Sequence, residues 1–297
     1  MAKLQIFTYE FNYINQLEEG SMFKEIENVD VRNSRARKQE ILNDYLQYMS
    51  DKNLPFVKGK KQYQQIVVWQ EDGIWDLRIA NNKKQKIEHE FIQKRIPDNP
   101  SCAVLIDNRK GVQTIAIQKL STSFSTPNSL AKIMMETLNQ YLVKKRLRIN
   151  IAPRYDPHDF WDVVNNHPYK IKMVHFQFPF PNLPVISDMI GDIINTADDM
   201  NGAPQLSWLA NDDEVLTPRQ DSDLLNRCVE ACAAIGSVIK VKLTDGTNVK
   251  CGDGGSQERE INDFALSQEA DELFVKRYEM IIAFLDTINL NNTIGNV

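Results

Sequence analysis

The sequence predicts an α+β fold with mainly antiparallel sheets built from hairpins, flanking helices and two subdomains. Three observations carry this expectation. Segments rich in β-branched and aromatic residues come in neighbouring pairs joined by short turn sequences, which is the hairpin pattern. Helix signals are scattered between these pairs and do not alternate with single strands as a βαβ series would require. The charge balance changes sign near the middle of the chain. Residues 1–150 hold 24 Lys+Arg against 17 Asp+Glu, a net of +7, and residues 151–297 hold 11 against 23, a net of -12. A basic domain over 1–152 and an acidic domain over 153–297 are expected from that change.

Taken in order, residues 4–14 (LQIFTYEFNYI) read as a first strand. Asn33 or Ser34 can cap a helix over 35–50, where Ile41, Leu42, Tyr45, Leu46 and Met49 recur at helical spacing. Lys58-Gly59-Lys60-Lys61 reads as a lysine-bearing loop. The runs 63–69 and 74–80 flank Glu71-Asp72-Gly73, and Asp-Gly favours a tight hairpin because glycine accepts positive φ at little cost. A second hairpin joins 102–107 to 112–119 across Asn108-Arg109-Lys110-Gly111. Thr126-Pro127 combines a helix cap with proline in the first turn, predicting a helix to about Lys145. Residues 147–152 form a short strand, and Asp156-Pro157 repeats the cap-plus-proline signal. Residues 169–180 alternate as a strand, a helix is expected over 187–199, and a short strand over 205–210. Asp221 precedes a helix through Ala234. Thr244-Asp245-Gly246 turns a third hairpin, and a last helix spans about 268–288.

The composition is that of a folded chain, with 42% hydrophobic and 25% charged residues. No apolar run reaches the roughly 18 residues of a membrane span, so no membrane partner is expected. The first ten residues lack an apolar signal core, and the four cysteines are too few for a disulfide framework. A reduced cytoplasm is the expected location.

The basic half supplies the broadest functional signal. Lys58, Lys60 and Lys61; Lys83, Lys84 and Lys86; Arg109 and Lys110; and Lys144, Lys145, Arg146 and Arg148 are candidate contacts to DNA or RNA phosphates, which need only positive side chains along a groove. Tyr63, Trp69 and Trp75 lie among them as candidate base-stacking residues. Phe176, Phe178 and Phe180 alternate before Pro181 and Pro184 and suggest a rigid aromatic surface for a protein partner.

Catalytic patterns are incomplete. Asp107 ends a strand, and Lys119 follows Ile117-Gln118 on its partner. This hairpin invites comparison with the restriction-endonuclease-like nuclease core, whose carboxylates hold Mg²⁺ beside a lysine. Ile117 stands where that core needs glutamate, so a nuclease would have to borrow Glu71, Asp72 or Asp76 from the neighbouring hairpin. Cys228 and Cys232, one helical turn apart, could join Cys251 and a histidine around zinc, but the two-residue spacing of zinc sites is missing and no metal is assigned. His158 stands among Asp156, Asp159 and Asp162 in no spacing that defines a site. Gly252, Gly254 and Gly255 lack the strand-to-helix setting of a phosphate loop.

The reading that follows is a non-catalytic binding or adaptor protein without a cofactor. Its basic half contacts nucleic acid and its acidic half a protein partner. One alternative is a Mg²⁺-dependent nuclease or phosphodiesterase using Asp107 and Lys119. Another is a structural protein whose oppositely charged halves assemble as a homo-oligomer.

Overall fold

The computed structural model describes residues 1–14, 30–89, 92–178, 204–252, 256–267 and 274–290. It is an α+β chain with antiparallel sheets, and it divides into two compact units. The first comprises 1–5, 9–151 and 259–280; the second comprises 6–8, 152–258 and 281–297.

The first unit is built on one large sheet. Its strands are β1 (Ala2–Tyr13), β4 (Gln65–Glu71), β5 (Ile74–Ala80), β8 (Ser101–Asp107), β9 (Thr114–Gln118), β10 (Leu147–Pro153) and β15 (Glu258–Ile261). They are ordered β10-β1-β9-β8-β5-β4, with β15 also paired to β1. Asp72 and Gly73 take φ of 47° and 85°, the mirror-image turn that matches strand twist. A side chain at Gly73 would stand 3.2 Å from the main chain of Asn108. Strands β5 and β8 are central, so both of their faces are buried. Trp75, Leu77 and Ile79 enter the core on one face, and the other face buries Asp76 and Arg78. The helices of this unit are α1 (Val31–Ala36), α2 (Lys38–Asp51) and α3 (Pro127–Leu142), the last continued by a 3-10 turn over Val143–Lys145.

Helix α3 begins where the sequence places it. The Thr126 side chain accepts the Ser129 N–H at 3.2 Å, and Pro127 sits in the first turn, where no N–H is needed. Thr126→Ala is expected to cost about 1 kcal/mol. A thermal melt unchanged by this variant would show that the cap contributes nothing.

On β1, Glu10 accepts a hydrogen bond from the Asn150 amide of β10 at 2.9 Å. Burial pushes its carboxyl up to about 7, against a small opposing effect of that bond. Between about 4.5 and 7 the unfolded chain has therefore released a proton that the folded chain retains. The folded state binds more protons, so stability falls as pH rises through this window. Glu10→Gln keeps the acceptor and removes the charge. It is expected to stabilise the chain by up to about 3 kcal/mol above this window and to change little below it. Urea unfolding at both ends of the window checks this, and an equal effect at both would refute it.

Two small hairpins complete the first unit. Strands β2 (Phe56–Lys58) and β3 (Lys61–Tyr63) pair, as do β6 (Lys83–His89) and β7 (Ile92–Asp98). The first of these occupies the stretch expected to be a loop.

The second unit carries a smaller sheet of β11 (Ile171–Gln177), β12 (Gln205–Leu209), β13 (Ile239–Leu243) and β14 (Asn248–Cys251), ordered β12-β11-β13-β14. Helices α4 (His158–Asn166) and α5 (Asp223–Ala234) belong to it. Its core gathers Phe160, Phe176, Phe178, Cys228, Val229, Cys232, Ile239 and Val241. Helix α6 (Phe274–Leu290) spans residues of both units. No helix among the described residues is long and apolar enough to cross a membrane. The helix expected over 187–199 lies outside the described residues.

Candidate nucleic-acid interface

The β2–β3 hairpin is too short to stand alone and is held by α3. The Val57 N–H donates to the Thr137 hydroxyl at 2.7 Å, and the Gly59 N–H donates to the Glu136 carboxylate at 2.8 Å. In this register Lys58 lies directly opposite Lys61, and Lys60 occupies the turn. All three are exposed. Among the described residues none of the three has a carboxylate within ion-pair distance; Glu136 is spent on the turn's main chain. Like charges facing each other across a ladder are destabilising. The hairpin therefore keeps a repulsion that a bound anion would relieve.

More lysines join it. The Asn82 amide donates to the Gln62 carbonyl at 3.0 Å, which ties the start of β6 to β3. Lys83 and Lys84 follow at once: the Lys83 ammonium donates to the Thr122 carbonyl at 2.7 Å, and Lys84 is exposed. The side chain of Lys86, on β6, lies outside what the structure describes. Lys144 and Lys145 follow the C-terminal end of α3, about 14 Å along its axis from the hairpin contact at Glu136. Both are exposed and without a carboxylate partner among the described residues. Arg146 adopts a left-handed φ of 55° after the helix, and Arg148 is exposed on β10.

Arg109 and Lys110 form a separate place. They sit in the β8–β9 turn, where the Gln39 amide donates to the Arg109 carbonyl at 2.6 Å. Lys110 is exposed. Arg109 is committed to Asp107, with Nε and Nη2 donating to the two carboxylate oxygens at 2.9 and 2.6 Å.

The aromatics read as stacking residues are packing residues. Trp75 is 1% exposed and donates to Asn43 at 2.9 Å. Tyr63 is buried against Phe124, and Trp69 stacks on Tyr278 at 4.3 Å. The aromatic feature that sequence reasoning missed is a row formed by Tyr48, Tyr45 and Tyr141. The i, i+3 spacing of Tyr45 and Tyr48 was its only sequence signal. Tyr141 also lines a polar cleft of about 350 Å³ with Arg37, Ile41, Asp44 and Lys145.

The nuclease pattern is not assembled. Asp107 pairs with Thr114 and Val104 with Ile117, so position 119 falls opposite position 102. That is five residues, about 17 Å, along the strand from Asp107. Asp107 is fully buried and gripped by Arg109, whereas Lys119 is exposed and its main chain bonds to Lys3. Asp76, a carboxylate that could have been borrowed, is buried and paired with Arg78.

The aromatic docking surface is likewise not formed by Phe176 and Phe178. They are 0% and 1% exposed and stack on each other at 6.5 Å inside the second unit. Residues of β11 alternate between its two faces, and these rings point inward because the helices of that unit cover that side. Phe180 lies outside the described residues.

All four cysteines are buried as free thiols. Burial pushes Cys102 up to about 12 and Cys228 up to about 11, and raises Cys232 as well, so these groups remain protonated packing residues. Among the described residues no group of three His, Cys, Asp or Glu side chains is placed to hold a metal ion. Asp156 is not the N-cap of α4, a position that Pro157 takes; its carboxylate instead accepts the His158 N–H at 3.0 Å.

No protein-family model matches the chain, and no curated protein and no solved structure is significantly similar to it.

Proposed function

We propose that the protein is a non-catalytic binding protein whose first unit contacts nucleic acid through the β2–β3 hairpin and the lysines beside it. The observation that carries this reading is Lys58 facing Lys61 across a three-residue ladder, with Lys60 at the turn and no carboxylate paired to any of them among the described residues. A lone surface lysine solvates itself. Three held against their own repulsion, with Lys83 and Lys84 tied alongside, make a fixed positive surface that a line of phosphates neutralises. Binding then rests on phosphate contacts and is strongly salt-dependent.

In this proposal the second unit contacts a protein partner. Leu209 and Leu224 are 66% and 48% exposed, and Leu224 borders an apolar cleft of about 280 Å³ with Val174, Trp208 and Leu216. Asp212 and Asp213 stand exposed in the neighbouring loop and suit a partner segment that is apolar with a basic flank, while Asp221 pairs at 3.7 Å with Arg219, which lines the cleft.

The test is binding of the purified full chain to labelled DNA and RNA across a salt series, with and without Mg²⁺. Salt-dependent binding without cleavage is expected. Absence of binding at low salt would remove the proposal, and Mg²⁺-dependent cleavage would replace it with an enzymatic one.

A further inference from the structure

This inference rests on the nucleic-acid reading above and gives it a strand preference. Helices α2 and α3 set three tyrosines in a row. The Tyr45 and Tyr141 rings lie with centroids 4.1 Å apart and planes 1° apart, and Tyr48 continues the row 6.4 Å from Tyr45 at 22°. Tyr45 is buried between its neighbours, but Tyr48 remains 50% exposed at the end of the row. A large aromatic side chain left half in water is a base-stacking platform in chemical terms. The cations are close to the row. Lys145 lines the same cleft as Tyr141, one turn along the chain, and Lys144 precedes it.

The cleft also contains Asp30 and Asp44, and Arg37 in its wall is held by Glu40 at 2.6 Å. Lys145 has no carboxylate within ion-pair distance among the described residues, so it is the cation of this cleft that a phosphate can reach. Phosphates are left to the lysine side.

We propose that this face binds single-stranded nucleic acid, with a base stacked on Tyr48 and the adjoining phosphates on Lys144 and Lys145. In a duplex the base faces are already stacked on one another, so Tyr48 has nothing to receive and only the lysines contribute. The consequence is a preference for unpaired strands that the β2–β3 lysines alone would not create.

The experiment compares the full chain with Tyr48→Ala and Tyr48→Phe, using a labelled oligothymidine and a labelled duplex of equal length at one salt concentration. Tyr48→Ala is expected to weaken oligothymidine binding about tenfold, the usual effect of removing one stacking ring, and to leave duplex binding unchanged. Tyr48→Phe keeps the ring and is expected to bind like the unaltered protein. A thermal melt of each variant separates loss of stacking from loss of fold. If the unaltered chain binds both probes and Tyr48→Ala changes neither, or weakens both equally, the strand preference is overturned while the lysine surface stands. If the unaltered chain binds neither probe, the nucleic-acid reading itself fails and takes this inference with it.

Discussion

Asp76→Ala is expected to destabilise the first unit by about 3–5 kcal/mol. Asp76 and Arg78 are 1% and 5% exposed on the covered face of β5 and form an ion pair. The Arg78 guanidinium also donates to the Leu77 and Leu266 carbonyls at 3.0 and 2.7 Å. Arg277, 3% exposed, adds a second positive charge near the same carboxylate. Burial nevertheless raises the Asp76 carboxyl, so desolvation outweighs the attraction of both arginines. The ion pair is therefore a weak source of net stability, yet breaking it is costly, because alanine leaves guanidinium charge buried without its carboxylate. Asp76→Leu combined with Arg78→Met removes both charges of the pair and is expected to recover part of the loss, since Arg277 keeps its charge near the same place. Urea unfolding followed by the fluorescence of Trp69 and Trp75, both in the first unit, measures each variant. A loss below about 1 kcal/mol for Asp76→Ala would contradict the assignment of this group as a dry ion pair.

Reversing the hairpin lysines is expected to have the largest effect on binding. Lys58→Glu, Lys60→Glu and Lys61→Glu together should lower nucleic-acid affinity about a hundredfold at low salt. The slope of log affinity against log salt should fall by about 3 on duplex DNA, close to 0.9 for each phosphate that is no longer neutralised. The single change Lys58→Glu separates binding from folding. It places a glutamate opposite Lys61, turning a repulsive cross-strand pair into an attractive one worth about 0.2–1 kcal/mol. That variant should be slightly more stable and bind more weakly. Unchanged affinity in the triple variant, measured by fluorescence anisotropy, would move the binding surface elsewhere or abolish it.

The candidate site was half legible in the residues. The lysines were visible as a charge excess, but their grouping was not, because it depends on two hydrogen bonds between distant residues. Gly59 to Glu136 and Asn82 to Gln62 bring together stretches that are far apart in sequence or separated by the whole β4–β5 hairpin. The β2–β3 strands are three residues each and mostly polar, too short for alternation to announce them, and their order comes from α3. The β6–β7 sequences KKQKIEH and IQKRIPD are rich in charge and alternate too weakly to announce strands either. The tyrosine row needed two helices to meet.

What the sequence determined by itself was local. Asp72-Gly73 and Thr244-Asp245-Gly246 specify their hairpin turns, because the positive φ they require is open to glycine and tolerated by aspartate. Thr126-Pro127 starts a helix because the threonine side chain accepts one of the N–H groups a first turn leaves open, that of Ser129, and proline has none to satisfy. Together these local choices determined the α+β class. The tertiary structure alone decided which faces are dry. Alternation along β5 shows that Asp76 and Arg78 share a face but cannot say that this face is covered, and alternation along β11 leaves it open whether Phe176 and Phe178 meet water or a core. Register then put Asp107 and position 119 at opposite ends of one ladder. Burial and register both depend on what packs on each face, and that is settled by contacts between residues far apart in the chain.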